Sequence, residues 1–181
     1  MTFTVWTVGH STRTATEFHD VLAAYGIELV VDVRRFPGSR SFPQFARPAL
    51  EVDLPAAGVS YQWLPALGGR RSPQPDSPND GWRHRAFRGY ADHVHTEEFA
   101  GGLMELLMLG HGLRTVVMCA EVLWWRCHRR LIADVLTTLG VSVEHIRDAA
   151  LAEPHRLTAP AHLVDGALSY RRMDEPLPSS D

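Results

Sequence analysis

Two cysteines stand eight residues apart in the run Cys119-Ala120-Glu121-Val122-Leu123-Trp124-Trp125-Arg126-Cys127-His128-Arg129, and the 181-residue chain has no others. A free thiol with a pKa of about 8.5 is only about 3% ionised at pH 7, and a downward shift of about 1.5 units makes it roughly half thiolate. Arg126, His128 and Arg129 surround Cys127 with the groups that favour such a shift, and a place at a helix start adds the pull of free backbone N–H groups. Cys119 and Cys127 are thus candidate nucleophiles or redox thiols, with Glu121, His128 and His10 as candidate acid–base partners. A cysteine ending a core strand can equally be a small buried filler, and Cys119 fits that description too. A third possibility is zinc or iron held by both cysteines and one or two histidines, with His10 or His145 completing the set. The eight-residue step is unlike the Cys-x-x-Cys pairs of structural zinc sites, so no metal and no other cofactor is assigned.

The elements that must position these groups follow from the apolar pattern. Short β-rich runs at Phe3–Val8, Leu29–Val33, Val59–Leu64, Leu113–Met118 and Val141–Ile146 alternate with helical stretches at Thr16–Tyr25, Pro48–Ala57, Gly89–Leu109 and Cys127–Leu139. Gly101-Gly102 is the expected interruption of the long helix, and Leu131, Ile132, Val135 and Leu139 the expected inner face of the last one. This alternation predicts an α/β fold: a single domain over residues 1–171 with a mainly parallel five-stranded sheet between helices, a Rossmann-like three-layer arrangement. Residues 147–171 are expected to wrap the surface and residues 172–181 to form a disordered tail. The irregular, Pro- and Gly-rich stretch from Pro65 to Phe87 is long enough to suggest a functional loop.

In such sheets ligands bind beyond the carboxyl ends of the strands. There the sequence places Gly9-His10-Ser11, Asp32 and Arg34 with Ser39 and Arg40 just beyond, Gly68-Gly69-Arg70-Arg71, and Cys119-Ala120-Glu121. Ser11, Asp32, Arg34, Ser39, Arg40, Gly68, Gly69 and Arg129 are therefore candidate binders of an anion, through hydroxyl, guanidinium or close backbone approach. The segment Arg34–Arg88 holds nine arginines against four acidic residues, whereas the whole chain has a net charge of −3 and no lysine. That balance favours a small anionic molecule or a nucleotide over wholesale electrostatic binding of nucleic acid, which the exposed-indole potential of Trp124-Trp125 keeps open. Oligomeric state is not legible. No apolar run reaches 18 residues, the N-terminus lacks a signal-peptide pattern, and two cysteines make no disulfide framework; a soluble protein of the reducing cytoplasm is expected.

At these motifs the chain resembles a family of uncharacterised bacterial and archaeal proteins catalogued as domain of unknown function number 488. The likeness rests on Thr7-Val8-Gly9-His10-Ser11, Val31-Asp32-Val33-Arg34 with Pro37, Ser39 and Arg40, Leu67-Gly68-Gly69, and Phe87-Arg88-Gly89-Tyr90-Ala91-Asp92. It continues with Met118-Cys119-Ala120-Glu121 running to Cys127-His128-Arg129, and with Pro154-His155-Arg156-Leu157-Thr158. Trp124-Trp125-Arg126 fits one branch of the family, and His93 stands where an aromatic such as tyrosine is usual. The resemblance implies the α/β fold and a shared site containing both cysteines, and no particular reaction. Two readings follow from the residues: a thiol-dependent enzyme acting on a small or nucleotide-like anion, and a nucleotide or nucleic-acid binding module with structural cysteines. The transition-metal protein is the third.

Overall fold

Strands buried on both faces must be apolar almost throughout, and the four residues of Leu29–Asp32 and five of Thr115–Cys119 are all buried. In the computed structural model, which describes residues 3–173, they are the centre of a six-stranded sheet. The strands are β1 (Thr4–Gly9), β2 (Leu29–Asp32), β3 (Ser60–Trp63), β4 (Thr115–Cys119), β5 (Ser142–Ile146) and β6 (Ala152–Pro154), in the order β3-β2-β4-β1-β5-β6. The first five are parallel, and β6 joins β5 antiparallel. The sequence expectation of five strands is corrected by β6, whose Ala-Glu-Pro is too short and too polar to read as a strand. Beyond it, β7 (His162–Val164) and β8 (Ala167–Ser169) form a separate hairpin in the segment expected merely to wrap the surface.

Helices α1 (Ala15–Ala24) and α2 (Arg47–Ala56) cover one face, where Phe18, Leu22, Leu50 and Leu54 meet Val8, Val30, Val116 and Met118. Helices α3 (Arg85–Val94), α4 (Glu97–Gly110) and α5 (Arg129–Thr138) cover the other, around Val5, Val31, Val117, Leu131 and Leu136. This is the three-layer single domain expected. Thr14 starts α1 with a full capping box, accepting from Glu17 N while Glu17 accepts from Thr14 N.

Three helix expectations need correction. The long helix breaks at His95-Thr96, because the Thr96 hydroxyl caps α4 by accepting from Phe99 N and two glutamates follow in the first turn. Gly102 lies inside α4 and serves packing: a Cβ there would come within 2.8 Å of Ala66 Cβ, in the 3-10 turn Pro65–Leu67. Leu139 is exposed at the end of α5, and α5 begins at Arg129, so Cys127 precedes the helix.

The loop from Gly68 to His84 has no regular structure, yet it is tied down by one buried carboxylate. Asp92 of α3 accepts from Gln74 N, Ser77 Oγ and Asn79 Nδ2 at 2.6–2.8 Å. No described helix is long and apolar enough to cross a membrane. Of the expected tail, Arg172 N donates to Asp80, and residues 174–181 lie outside the described residues.

Candidate functional site

From β1 the chain crosses leftward to β2, and from β4 it crosses rightward to β5, so the ends of β1 and β4 flank a topological switch point. Their pairing continues past the strands, with His10 N donating to Cys119 O and Ser11 N to Ala120 O, both at 2.9 Å. Gly9 is required here, because a Cβ would overlap the Glu121 carbonyl and neither backbone can yield. Gly9→Ala is accordingly expected to cost about 3 kcal/mol or more, read by urea denaturation; a loss under about 1 kcal/mol would mean the two strand ends can separate freely.

A cleft of about 750 Å³ opens over this point, and it brings together His10, Ser11, Arg34, Ser39, Arg40, Gly69, Cys119, Glu121, Cys127 and His128. Of the other sequence candidates, Asp32, Gly68 and Arg129 lie beneath the lining. Five arginines face the cleft (Arg34, Arg35, Arg40, Arg70 and Arg126) against one carboxylate, Glu121. Among the described residues only Arg34 of these five has an ion-pair partner. That partner is Asp32, whose fully buried carboxylate takes Arg34 Nε and Nη2 at 2.5–3.1 Å and the Tyr61 hydroxyl at 2.7 Å. Arg34 is thus spent largely on structure, while Arg35, Arg40, Arg70 and Arg126 keep their charge for the cleft. Ser39 Oγ accepts from Phe42 N and holds the turn on which Arg40 sits.

His10 stacks on Phe45 with ring centroids 4.2 Å apart. Its Nε2 accepts from Arg34 Nη1 at 3.3 Å, and its Nδ1–H donates to Ser11 O at 3.0 Å. Burial, supported by the Arg34 charge, lowers its pKa to about 4 against the Ser11 hydrogen bond, so the ring is neutral near pH 7. With both nitrogens engaged it is placed to orient Arg34 rather than to move a proton.

The two sulfurs and His128 Nδ1 all lie within 4.8 Å of one another, at the base of the cleft. His128 Nδ1 is 3.6 Å from Cys127 Sγ and 4.0 Å from Cys119 Sγ. Its Nε2–H donates to Val33 O at 3.1 Å, which leaves Nδ1 as the proton acceptor facing the thiols. The ring is held from below by Gly69, where a Cβ would stand 2.7 Å from Nδ1, and from the side by Tyr90 at 5.0 Å between centroids. Tyr90 and His93 in turn donate to Leu67 O and Ala66 O at 2.7 Å, fixing the turn that carries Gly68-Gly69. A Cβ on Gly68 would collide with Pro65 O and Arg35 Cα, so both glycines are needed for close approach.

Arg129, which the sequence sets beside Cys127 as a group favouring the thiolate and also offers as an anion binder, is buried beneath the cleft. It is 1% exposed, and among the described residues no carboxylate pairs with it. Its Nε donates to Cys127 Sγ at 3.4 Å, its Nη1 to Thr7 Oγ1, and its Nη2 to the carbonyls of Glu121 and Val122. The nearest group able to balance its charge is the Cys127 thiolate. Burial opposes ionisation of Cys127, but the Cys119 thiol, His128 and Arg129 outweigh it and hold its pKa well below that of a free thiol. Cys119 goes the other way: its hydrogen bond to Cys127, burial and the Cys127 charge raise it, against Arg129 and the Glu121 amide. The pair therefore shares one proton, kept on Cys119. The expectation that a helix start would stabilise Cys127 is corrected by this geometry, since a side-chain guanidinium supplies the charge instead.

A family model described as Domain of unknown function DUF488 matches residues 14–136. The chain belongs to this family. The DUF488 match covers the cysteine block and the arginine-bearing loops and stops short of His10, Ser11 and Thr12 on the cleft wall. No curated protein and no solved structure matches the chain. Cys119, Cys127 and His128 also form a three-donor set of the kind a transition metal takes.

Proposed function

We propose that this protein is a thiol-dependent enzyme of the reducing cytoplasm acting on a small or nucleotide-like anionic substrate. The observation that carries this reading is the buried Arg129 guanidinium, lacking a carboxylate partner among the described residues and directed at Cys127 Sγ in the floor of an arginine-lined cleft. A buried cation needs a counter-charge, and here the thiolate is the group within reach. Cys127 attacks as the thiolate already present, and His128 Nδ1 lies beside it to take up and return a proton during turnover. In the resulting imidazolium both N–H groups have acceptors in place, Cys127 Sγ and Val33 O. The Cys119 S–H lies beside the nucleophile to donate to charge building on it or on a bound atom. Glu121, exposed on the rim with a carboxylate that makes no hydrogen bond or ion pair among the described residues, is the acid–base group for the atom that leaves as the sulfur bonds to the substrate. Arg35, Arg40, Arg70 and Arg126 orient the anion.

The test is iodoacetamide labelling of the native protein against pH, read by mass spectrometry. Cys127 is expected to label about threefold to tenfold faster than a denatured control at pH 6.5, the gain being limited because nucleophilicity falls with pKa. Cys119 is expected to label more slowly. If neither cysteine exceeds the denatured control between pH 6 and 9, the enzyme reading fails and the binding module takes its place. Elemental analysis of the same sample is expected to show no stoichiometric zinc or iron; one tightly held ion per chain would make the metal protein the better reading.

A further inference from the structure

On the side of Arg129 facing away from the cleft, a file of polar side chains runs through the core. Arg129 Nη1 donates to Thr7 Oγ1 at 3.2 Å, Thr7 Oγ1 lies 2.7 Å from His145 Nδ1, and His145 Nε2 lies 2.9 Å from His155 Nδ1. His155 Nε2 lies 2.9 Å from Asp134 Oδ1. Thr7, His145 and Asp134 are at most 1% exposed, and the His155 side chain is fully buried. Asp134 also accepts from Thr158 N, Thr158 Oγ1 and the Tyr170 hydroxyl at 2.6–3.0 Å.

The ends of this file favour one direction for the bonds in it. Guanidinium can only donate and carboxylate can only accept. Thr7 accepts from Arg129 and has its own proton to give to His145 Nδ1. A neutral His145 then carries its proton on Nε2 and gives it to His155 Nδ1, and His155 carries its proton on Nε2 for Asp134. Burial, aided by His155 and Arg129, drives the His145 pKa down to about 2, which keeps that ring neutral. Trp124 lies flat on His145, with centroids 4.1 Å apart and planes 6° from parallel, and is itself pinned by Glu153. No ring in the file can flip without losing two bonds.

We propose that Thr7, His145, His155 and Asp134 are positioning residues of the thiol site, forming a one-way hydrogen-bonded chain that clamps the Arg129 guanidinium onto Cys127 Sγ. The inference rests on the thiol reading for its purpose, though not for its geometry. The chain fastens Arg129 from behind, so that Nε points at the sulfur with little freedom left to lose. It also makes the segment from β6 to Tyr170 part of the site, although Thr7, His145 and His155 lie outside the matched residues 14–136.

The experiment uses the full chain and two readouts. By ¹⁵N NMR, His145 is expected as the neutral Nε2–H tautomer and His155 with its proton on Nε2 toward Asp134 and none on Nδ1, with an Arg129 Nε–H resonance protected from exchange. Thr7→Val, which removes one hydroxyl, is expected to shift or broaden that resonance and to slow labelling of Cys127 at pH 6.5 by about tenfold. Thr7→Ser is expected to restore both. His155→Gln, should Thr7→Val not fold, is expected to act in the same direction. An Nδ1–H tautomer at either histidine overturns the chain. So does an Arg129 resonance unmoved in these variants, or Cys127 labelling unchanged by Thr7→Val where the native protein labels fast. Slow labelling of the native protein would sink the thiol reading instead, and the NMR readout would still decide whether the chain holds Arg129.

Discussion

Arg129→Met is expected to leave Cys127 less reactive at pH 6.5 than a free thiol. In the native protein the guanidinium offsets the burial of the Cys127 sulfur, which is 4% exposed. Methionine fills the space and removes the charge. Burial then acts unopposed by Arg129, the thiol keeps its proton, and at pH 6.5 less than about 1% remains thiolate, the value for a thiol of pKa about 8.5. Labelling of Cys127 should fall by between about tenfold and about 100-fold, since the lost thiolate fraction is partly repaid by a more basic and more nucleophilic sulfur. The stability effect separates this from simple damage. Removing one partner of a buried charge pair typically costs about 3–5 kcal/mol. A thiol, however, can neutralise itself by protonation, so the measured loss should lie below that range and shrink as pH falls. Labelling that survives the substitution would show that the Cys119 thiol and His128 maintain the thiolate without Arg129.

A second large effect is expected from acid. His10 and His145 are both held neutral by burial, with pKa values lowered to about 4 and about 2. In the unfolded chain each takes a proton near pH 6.5. Above that pH both states are neutral and the contribution to stability is fully present. As pH falls below 6.5 the unfolded chain gains protons that the folded one refuses, and stability drops by about 1.4 kcal/mol per unit per histidine. Between pH 6.5 and 5, before carboxylates titrate, the two together should cost about 3 kcal/mol, a large part of a domain's usual stability of about 5–15 kcal/mol. Urea unfolding at half-unit steps of pH should show this slope, and His10→Gln should remove about half of it. A flat profile over that window would mean that one or both rings accept a proton in the folded protein.

The order of helices and strands was legible because a parallel sheet buried on both sides demands near-continuous apolar runs, and such runs stand out at Leu29–Val33 and Leu113–Met118. Once those runs were placed, the location of the cleft followed. Strand carboxyl ends share one edge of a parallel sheet, so His10, Arg34 and Cys119 had to meet there although more than a hundred residues separate the first from the last. The need for glycine at positions 9, 68 and 69 was visible only as a pattern; the overlaps with Glu121, Arg35 and His128 gave it a cause. What folding alone decided was which polar groups are paired. Asp32 claims Arg34 two residues away, while Arg129 is left to a sulfur, and no local rule distinguishes two arginines that follow a strand or start a helix. The same holds for Thr7, His145, His155 and Asp134. In the sequence His145 reads only as a possible metal ligand, and Thr7 and His155 only as parts of separate motifs; their chain exists because β1, β5, the segment after β6 and α5 pack side by side. Hydrogen-bond direction and counter-charge are properties of neighbours in space, and the neighbours here are up to 138 residues apart in sequence.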